Sequence, residues 1–167
     1  MAPNDTRLGE LVAQAIRLSI DHVGAGGIPF TALIADPVGA AIGTGVNRVA
    51  EDHDPTAHAE VVAIRDATAR LGRTDLMGHT LIASGEPCPL CYLAARWAGI
   101  SRIVFAADRH RAARSGFDYT AAYSILAADP VDWPLEVRHL PTAAAEAPFE
   151  LWDSRRRPGP RHRSAVR

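Results

Sequence analysis

The stretch Asp54-Pro55-Thr56-Ala57-His58-Ala59-Glu60-Val61, answered downstream by Glu86-Pro87-Cys88-Pro89-Leu90-Cys91, decides how this chain is read. Zinc takes thiolate and imidazole ligands, and a catalytic site keeps three protein ligands with the fourth tetrahedral position open. His58, Cys88 and Cys91 make up such a set. Two thiolates and one neutral imidazole leave bound zinc near neutral overall, so water held there can lose a proton near neutral pH. Glu60 is a carboxylate not needed as a ligand, and it reads as the general base. Cys88-x-x-Cys91 alone would also suit a redox dithiol or half of a structural zinc site. A structural site needs a fourth protein ligand, however, and the chain has only 2 cysteines. His53, His79 or His110 would fill that place only by an unusual arrangement, and His22, His139 and His162 read as surface or core residues.

Working outward, Asp54-Pro55-Thr56 offers an N-cap type residue and a proline suited to a first helical turn. The spacing predicts a helix from about Ala57 to Leu71, apolar through Val61, Val62 and Ile64. Cys88-Pro89 repeats the arrangement over Pro89 to Ala98, with Cys91 on the same face as Cys88. Two positive helix ends thus aim at one metal and favour thiolate and hydroxide. Leu8, Leu11, Val12, Ala15, Ile16, Ile20 and Val23 recur at helical spacing until Gly24-Ala25-Gly26-Gly27. Phe30 to Ala35 and Ala40 to Val46 read as strands around the turn Asp36-Pro37-Val38-Gly39, and His79 to Ser84 and Arg102 to Ala107 as buried strands. Asp118 to Ala127 reads as a helix, Leu135 to Leu140 as a last strand and Thr142 to Trp152 as a last helix. The order α-β-β-α-β-α-β-α-β-α predicts an α/β fold: a three-layer α-β-α sandwich on a five-stranded mixed sheet, largely parallel after an antiparallel hairpin.

A length of 167 residues fits one domain, read as 1–154, followed by an Arg/Pro-rich tail over 155–167. With 47% hydrophobic and 22% charged residues the composition is that of a globular protein, and a net charge of −1 speaks against a basic nucleic-acid surface over the whole fold. All the basic residues are arginines, and Arg155, Arg156, Arg157, Arg161, Arg163 and Arg167 crowd the end of the chain. No apolar run approaches the ~20 residues that span a bilayer. Asp5, Arg7 and Glu10 interrupt any secretion signal, and two cysteines committed to metal suit a reducing compartment, so the cytoplasm is expected.

Together with Gly116-Phe117-Asp118 and Pro148-Phe149-x-x-Trp152, these motifs resemble the cytidine deaminase superfamily, in the branch of bacterial guanine deaminases and tRNA adenosine deaminases. The resemblance runs from residue 5 to residue 152 and is nearest to the guanine deaminases. It implies a cytidine deaminase-like fold, Zn2+ as cofactor and hydrolytic deamination. Hydroxide attacks an amino-bearing ring carbon, Glu60 returns the proton to the ring nitrogen and then to the amine, and ammonia leaves.

By the same resemblance Asn47 matches an asparagine that hydrogen-bonds the base, although it reads equally as a turn residue. Phe30 and Trp97 match aromatic positions of the pocket, where core aromatics would read the same. The Ala59 N–H, at a helix start, could hold a ring carbonyl. Glu86 reads as part of a proton relay or as one side of a salt bridge. Phe117 and Asp118 belong to the matched motif, and Tyr119 departs from it. Guanine deaminases carry two consecutive acids after Gly-Phe, the second with a role in substrate binding and proton transfer. Tyrosine cannot stand in as an anion at neutral pH, because a phenol in water gives up its proton only near pH ~10.

The implied substrate is therefore a small free nucleobase or related heterocycle, such as a guanine-like purine, cytosine or an aminotriazine. The alternative is deamination of adenosine in tRNA. The arginine tail favours it, whereas Asp108-Arg109-His110-Arg111 stands where tRNA enzymes carry a glycine- and lysine-containing stretch. A zinc-stabilised binding module is the third reading, and it leaves Glu60 without a duty. Guanine deaminases exchange C-terminal segments, so a homodimer is expected, with Pro148 to Trp152 over the partner's site; neither nucleic acid nor a membrane is an expected partner.

Overall fold

Thr31-Ala32-Leu33-Ile34-Ala35 is apolar without alternation, the pattern of a strand covered on both faces. In the computed structural model every residue of this run is buried as β1 (Thr31–Ala35). The structure describes residues 3–142 and 144–156. Residues as far as Asp129 form one compact unit, and those from Pro130 onward form a second.

The first unit contains α1 (Asp5–Gly24), β1, β2 (Ala41–Val46), α2 (Val49–Asp52), α3 (Ala59–Leu71), β3 (Thr80–Gly85), α4 (Pro89–Trp97), β4 (Arg102–Ala107), α5 (Arg109–Arg114) and α6 (Ala121–Ala127). Its sheet is mixed, in the order β2-β1-β3-β4. The first hairpin turns at Asp36, whose carboxylate accepts from the Val38 and Ala40 N–H groups at 3.0 and 2.8 Å, with Gly39 at φ 91°. Side chains of β1 alternate between two helical layers. Leu33 and Ala35 pack with Leu11 and Ala15 of α1, while Ala32 and Ile34 pack with Ala59, Ala63 and Ala67 of α3 and Ala95 of α4. Burying one such Leu or Ile completely contributes about 1.5–3 kcal/mol.

Three expectations change. β4 forms where predicted, but it is an edge strand with no residue buried, and Phe105 stands 37% exposed. The sheet is not largely parallel: β1 runs antiparallel to both β2 and β3, and only β3 and β4 are parallel. The helical crossover through α3 does join two strands of the same direction, β2 and β3, but β1 lies between them. Nor is there a fifth strand among the described residues. Leu135 to Arg138 alternates apolar and polar side chains, yet the run to Leu140 makes no ladder, and Leu135, Val137 and Leu140 stand 55%, 48% and 69% exposed. Alternation marks a strand only where a neighbour supplies hydrogen bonds. In the second unit a short 3-10 turn spans Pro130–Asp132, and the last helix is α7 (Ala147–Arg156), beginning later than the predicted Thr142. Of the expected tail, residues 157–167 lie outside the described residues. No helix among the described residues is long and apolar enough to cross a membrane.

The approach of α3 to the sheet depends on Gly45 of β2. A Cβ there would run into the Ala59 carbonyl oxygen and lie 2.5 Å from the Ala63 backbone nitrogen. Gly45→Ala is therefore expected to push α3 outward, at a cost of about 1–3 kcal/mol of overpacking. Thermal unfolding should show a melting temperature lower by roughly 2–10 °C.

Candidate metal centre and active site

Both motif segments end as helix starts. His58 is the N-cap residue of α3 in extended backbone (φ −66°, ψ 151°), and its side chain makes no capping bond. Asp54 does not cap this helix as its position suggested. Its short carboxylate closes an Asx turn instead, accepting from the Thr56 N–H at 2.8 Å and from its hydroxyl at 2.7 Å. His58 is thereby left free to turn its ring toward α4. There Cys88 is the N-cap (φ −71°, ψ 170°), Pro89 opens the helix, and Cys91 lies one turn on, fully buried.

The three donors converge. His58 Nδ1 lies 3.4 Å from each sulfur, and the sulfurs are 3.5 Å apart. A tetrahedral zinc with bonds of about 2.3 Å to sulfur and about 2.0–2.1 Å to nitrogen would separate its ligands by about 3.5–3.8 Å. The donor set thus fits zinc in atom type and in spacing, and it is the one such His/Cys/Asp/Glu group among the described residues. His79 is occupied elsewhere, its ring nitrogen 3.1 Å from the Leu76 and Met77 carbonyls.

Proton affinities here follow from the crowding. The bond with Cys91 is the main reason that the Cys88 thiol is lowered to about 4, and the histidine adds to this against the effect of burial. Cys91, holding the shared proton in a buried place, is pushed far up. His58 is raised, chiefly by its hydrogen bond with Cys88. Glu60, in the first turn of α3 and 5% exposed, is raised chiefly by its burial.

Beside the donors opens a cavity of about 280 Å³ lined by Ile28, Phe30, Asn47, His58, Glu60, Glu86, Cys88 and the Gly116–Tyr119 loop. This volume lies at the small end for ligand sites. Phe30 meets Phe117 edge to face with ring centroids 5.2 Å apart, and Tyr119 at 6.5 Å. The structure therefore brings together Phe30, Asn47, Glu86, Phe117, Asp118 and Tyr119, with Ala59 buried between His58 and Glu60. It does not bring Trp97 there: that ring ends α4 and is 79% exposed. Asn47 accepts from the Val49 N–H at 3.2 Å, so it serves its own turn while lining the cavity.

Glu86 is held as one side of a salt bridge. Arg109 donates to it from the main chain at 2.7 Å and from the guanidinium at 3.0 and 2.5 Å, keeping its carboxyl below the usual range. Asp118 binds the Thr120 N–H and hydroxyl at 2.9 and 2.6 Å and is lowered by them. Tyr119 donates its hydroxyl to the Glu86 carbonyl at 2.6 Å. Burial raises its pKa, so it remains a neutral phenol. Sequence reading missed Arg109, Tyr123 and Ile28. Tyr119 and Tyr123 at i, i+4 gave a signal of a shared face, but nothing in the chain order pointed that face at the cysteines.

A zinc-type triad at two helix starts, beside a small cavity and a buried carboxylate, defines a zinc-dependent hydrolytic site. Residues 6–107 match the family described as the cytidine and deoxycytidylate deaminase zinc-binding region, and the chain belongs to it, as a zinc-dependent hydrolytic deaminase. It is 39% identical to the guanine deaminase of Bacillus subtilis over 145 residues, which are 83% of this chain and 89% of that one. The crystal structure of guanine deaminase from that organism superposes with a TM-score of 0.81 at 35% identity, over 87% of this chain and 93% of the other. A guanine deaminase structure from Nitrosomonas europaea gives 0.63 at 31% identity, over 72% and 67%. The tRNA-specific adenosine deaminase of Haemophilus influenzae is 32% identical over 64% of this chain and 62% of its own length.

Zinc binds thiolates and neutral imidazole, so it must displace at least the proton that Cys91 retains. Affinity should therefore fall as pH falls, by about tenfold per unit between pH 7 and 5, in competition titrations against a chelator of known affinity. A pH-independent affinity would contradict this donor set.

Proposed function

We propose that the chain hydrolytically deaminates a small free nucleobase or related aminated heterocycle, with a guanine-like purine first and cytosine or an aminotriazine next. The observation that carries this reading is the buried Glu60 carboxylate facing, beside the metal donors, a cavity sized for one flat ring system between Phe30, Phe117 and Tyr119. The 39% identity to a guanine deaminase over most of the chain supports the purine. The tRNA alternative has less behind it, since the tRNA-specific relative aligns over 64% of the chain.

Bound zinc supplies the acidity that lets water act as a nucleophile near neutral pH. Glu60 would take one proton from the attacking water and give it to the ring nitrogen, then take the proton of the new C–OH group and give it to the amine, which leaves as ammonia while the carbonyl forms. Its raised proton affinity suits a group that must both accept and return a proton. Asn47 and the Ala59 N–H orient the ring's polar edge, and Phe30 and Phe117, packed edge to face, give the cavity an apolar wall for it. Glu86, tied up by Arg109, orders the loop and takes no part in proton transfer. Tyr119, with its proton committed to the Glu86 carbonyl, serves as a wall of the cavity where guanine deaminases carry an acid.

Ammonia release from guanine, cytosine, adenine, their nucleosides and aminotriazines tests the substrate. Activity on a free base and none on tRNA is expected; tRNA as the one substrate would overturn the reading. On the active base, Glu60→Gln should keep zinc and fold while kcat falls by roughly 10²–10⁴. An undiminished rate would remove Glu60 from the mechanism.

A cytoplasmic homodimer with exchanged C-terminal segments belongs to the same proposal. Phe149 and Leu151 of α7 are 68% and 55% exposed, apolar surface of the kind that a second copy covers. Size exclusion with light scattering should find twice the 17.9 kDa chain mass, and truncation after Ala147 should lower both mass and activity. Unchanged mass and rate would dismiss the exchange.

A further inference from the structure

Cys88 sits at the end of an irregular piece of chain. β3 stops at Gly85 and α4 starts at Pro89, so Glu86 and Pro87 have neither a ladder nor a helix to fix them. Main-chain polar groups in such a place need partners, and each has one. The Glu86 N–H donates to the Ala107 carbonyl at 2.7 Å. The Glu86 carbonyl accepts the Tyr119 hydroxyl, and the Pro87 carbonyl accepts the Tyr123 hydroxyl, both at 2.6 Å. Proline has no N–H to contribute.

The two tyrosines are four residues apart, Tyr119 just before the N-cap Thr120 of α6 and Tyr123 in its first turn, and their rings are 6.5 Å apart. Arg109 closes the assembly. While its guanidinium holds the Glu86 carboxylate, its Cζ lies 3.6 Å over the Tyr123 ring. Glu86 and Pro87 are thus gripped through both carbonyls and one carboxylate, and the next residue is a metal donor.

We propose that Tyr119 and Tyr123 are positioning residues for the metal centre, holding the Glu86–Pro87 turn so that Cys88 Sγ stays in register with His58 Nδ1 and Cys91 Sγ. Neither tyrosine touches the three donor atoms; both act through two main-chain carbonyls. This gives Tyr119 a second duty besides lining the cavity. It also gives Tyr123, which does not line the cavity, a functional role. Groups that orient ligands from behind typically change metal affinity by about 10–100-fold when removed. The inference rests on Cys88 being a zinc ligand.

The test uses Tyr119→Phe, Tyr123→Phe and the double variant, which keep the rings and remove only the hydroxyls. Zinc release from each full-length protein to an excess of chromogenic chelator is timed. The cobalt(II)-substituted proteins are compared by their visible d–d bands, and metal-free chains by thermal melting. The double variant is expected to release zinc roughly 10-fold faster than wild type and to shift the cobalt bands, with a lowered metal-free melting temperature recording the two carbonyls left without partners. Release at the wild-type rate with unshifted bands would overturn the proposal. So would a lowered metal-free melting temperature with release unchanged, since the hydroxyls would then serve the fold alone. Failure of wild type itself to bind one zinc would instead strike at the metal reading.

Discussion

The site depends on one steric constraint: how closely α3 can lie on the sheet. Gly45 on β2 lets the helix backbone at Ala59 and Ala63 come within contact of the strand, and Gly43 does the same under Ala67. On α3 the residues against these glycines are the alanines Ala59, Ala63 and Ala67. Small residues on both sides draw the start of α3 down to where α4 begins. Since His58 is the N-cap of one helix and Cys88 of the other, that approach turns two distant motifs into three donors within a zinc's reach. A larger side chain at the contact would separate the donors without altering any of them.

Bringing the donors together changes what each can do. A thiol, an imidazole and a second thiol at 3.4–3.5 Å share protons, so Cys88 falls, Cys91 rises and His58 rises. Those protons are the ones a dication displaces, so proton affinity and metal affinity are two aspects of one arrangement. Glu60, in the first turn of the same helix, owes its raised proton affinity to burial. Fold, donor set and buried carboxylate therefore share one packing contact.

The loop after α5 supplies one wall of the cavity. A phenol at 119 donates to a main-chain carbonyl, as an ionised carboxylate could not, and leaves that wall of the cavity neutral. The neighbouring Glu86 has its charge met by Arg109, and Asp118 spends its hydrogen bonds on Thr120. Glu60 is consequently the one buried carboxylate on the cavity without a cationic partner that binds it directly.

Much of this was legible in the chain. His58, Glu60, Cys88 and Cys91 announce zinc chemistry because few other purposes need those residue types together, and the periodicity of α1, α3 and α4 and the apolar runs of β1, β3 and β4 set the elements to within a few residues. Strand order was not legible, because an α-helical crossover looks the same whether or not β1 lies between the strands it joins. Leu135 to Leu140 misled, since alternation records a preference and a ladder needs a neighbour. Trp97 and Phe30 were equal candidates by type; one ended exposed and the other in the cavity, a matter of helix phase and packing. The sequence alone determined the reaction chemistry, because that chemistry resides in side-chain types. Only the tertiary structure decided which groups share protons, which carboxylate stays unpaired and what holds Cys88 in place, because these depend on distances between segments that chain order does not encode.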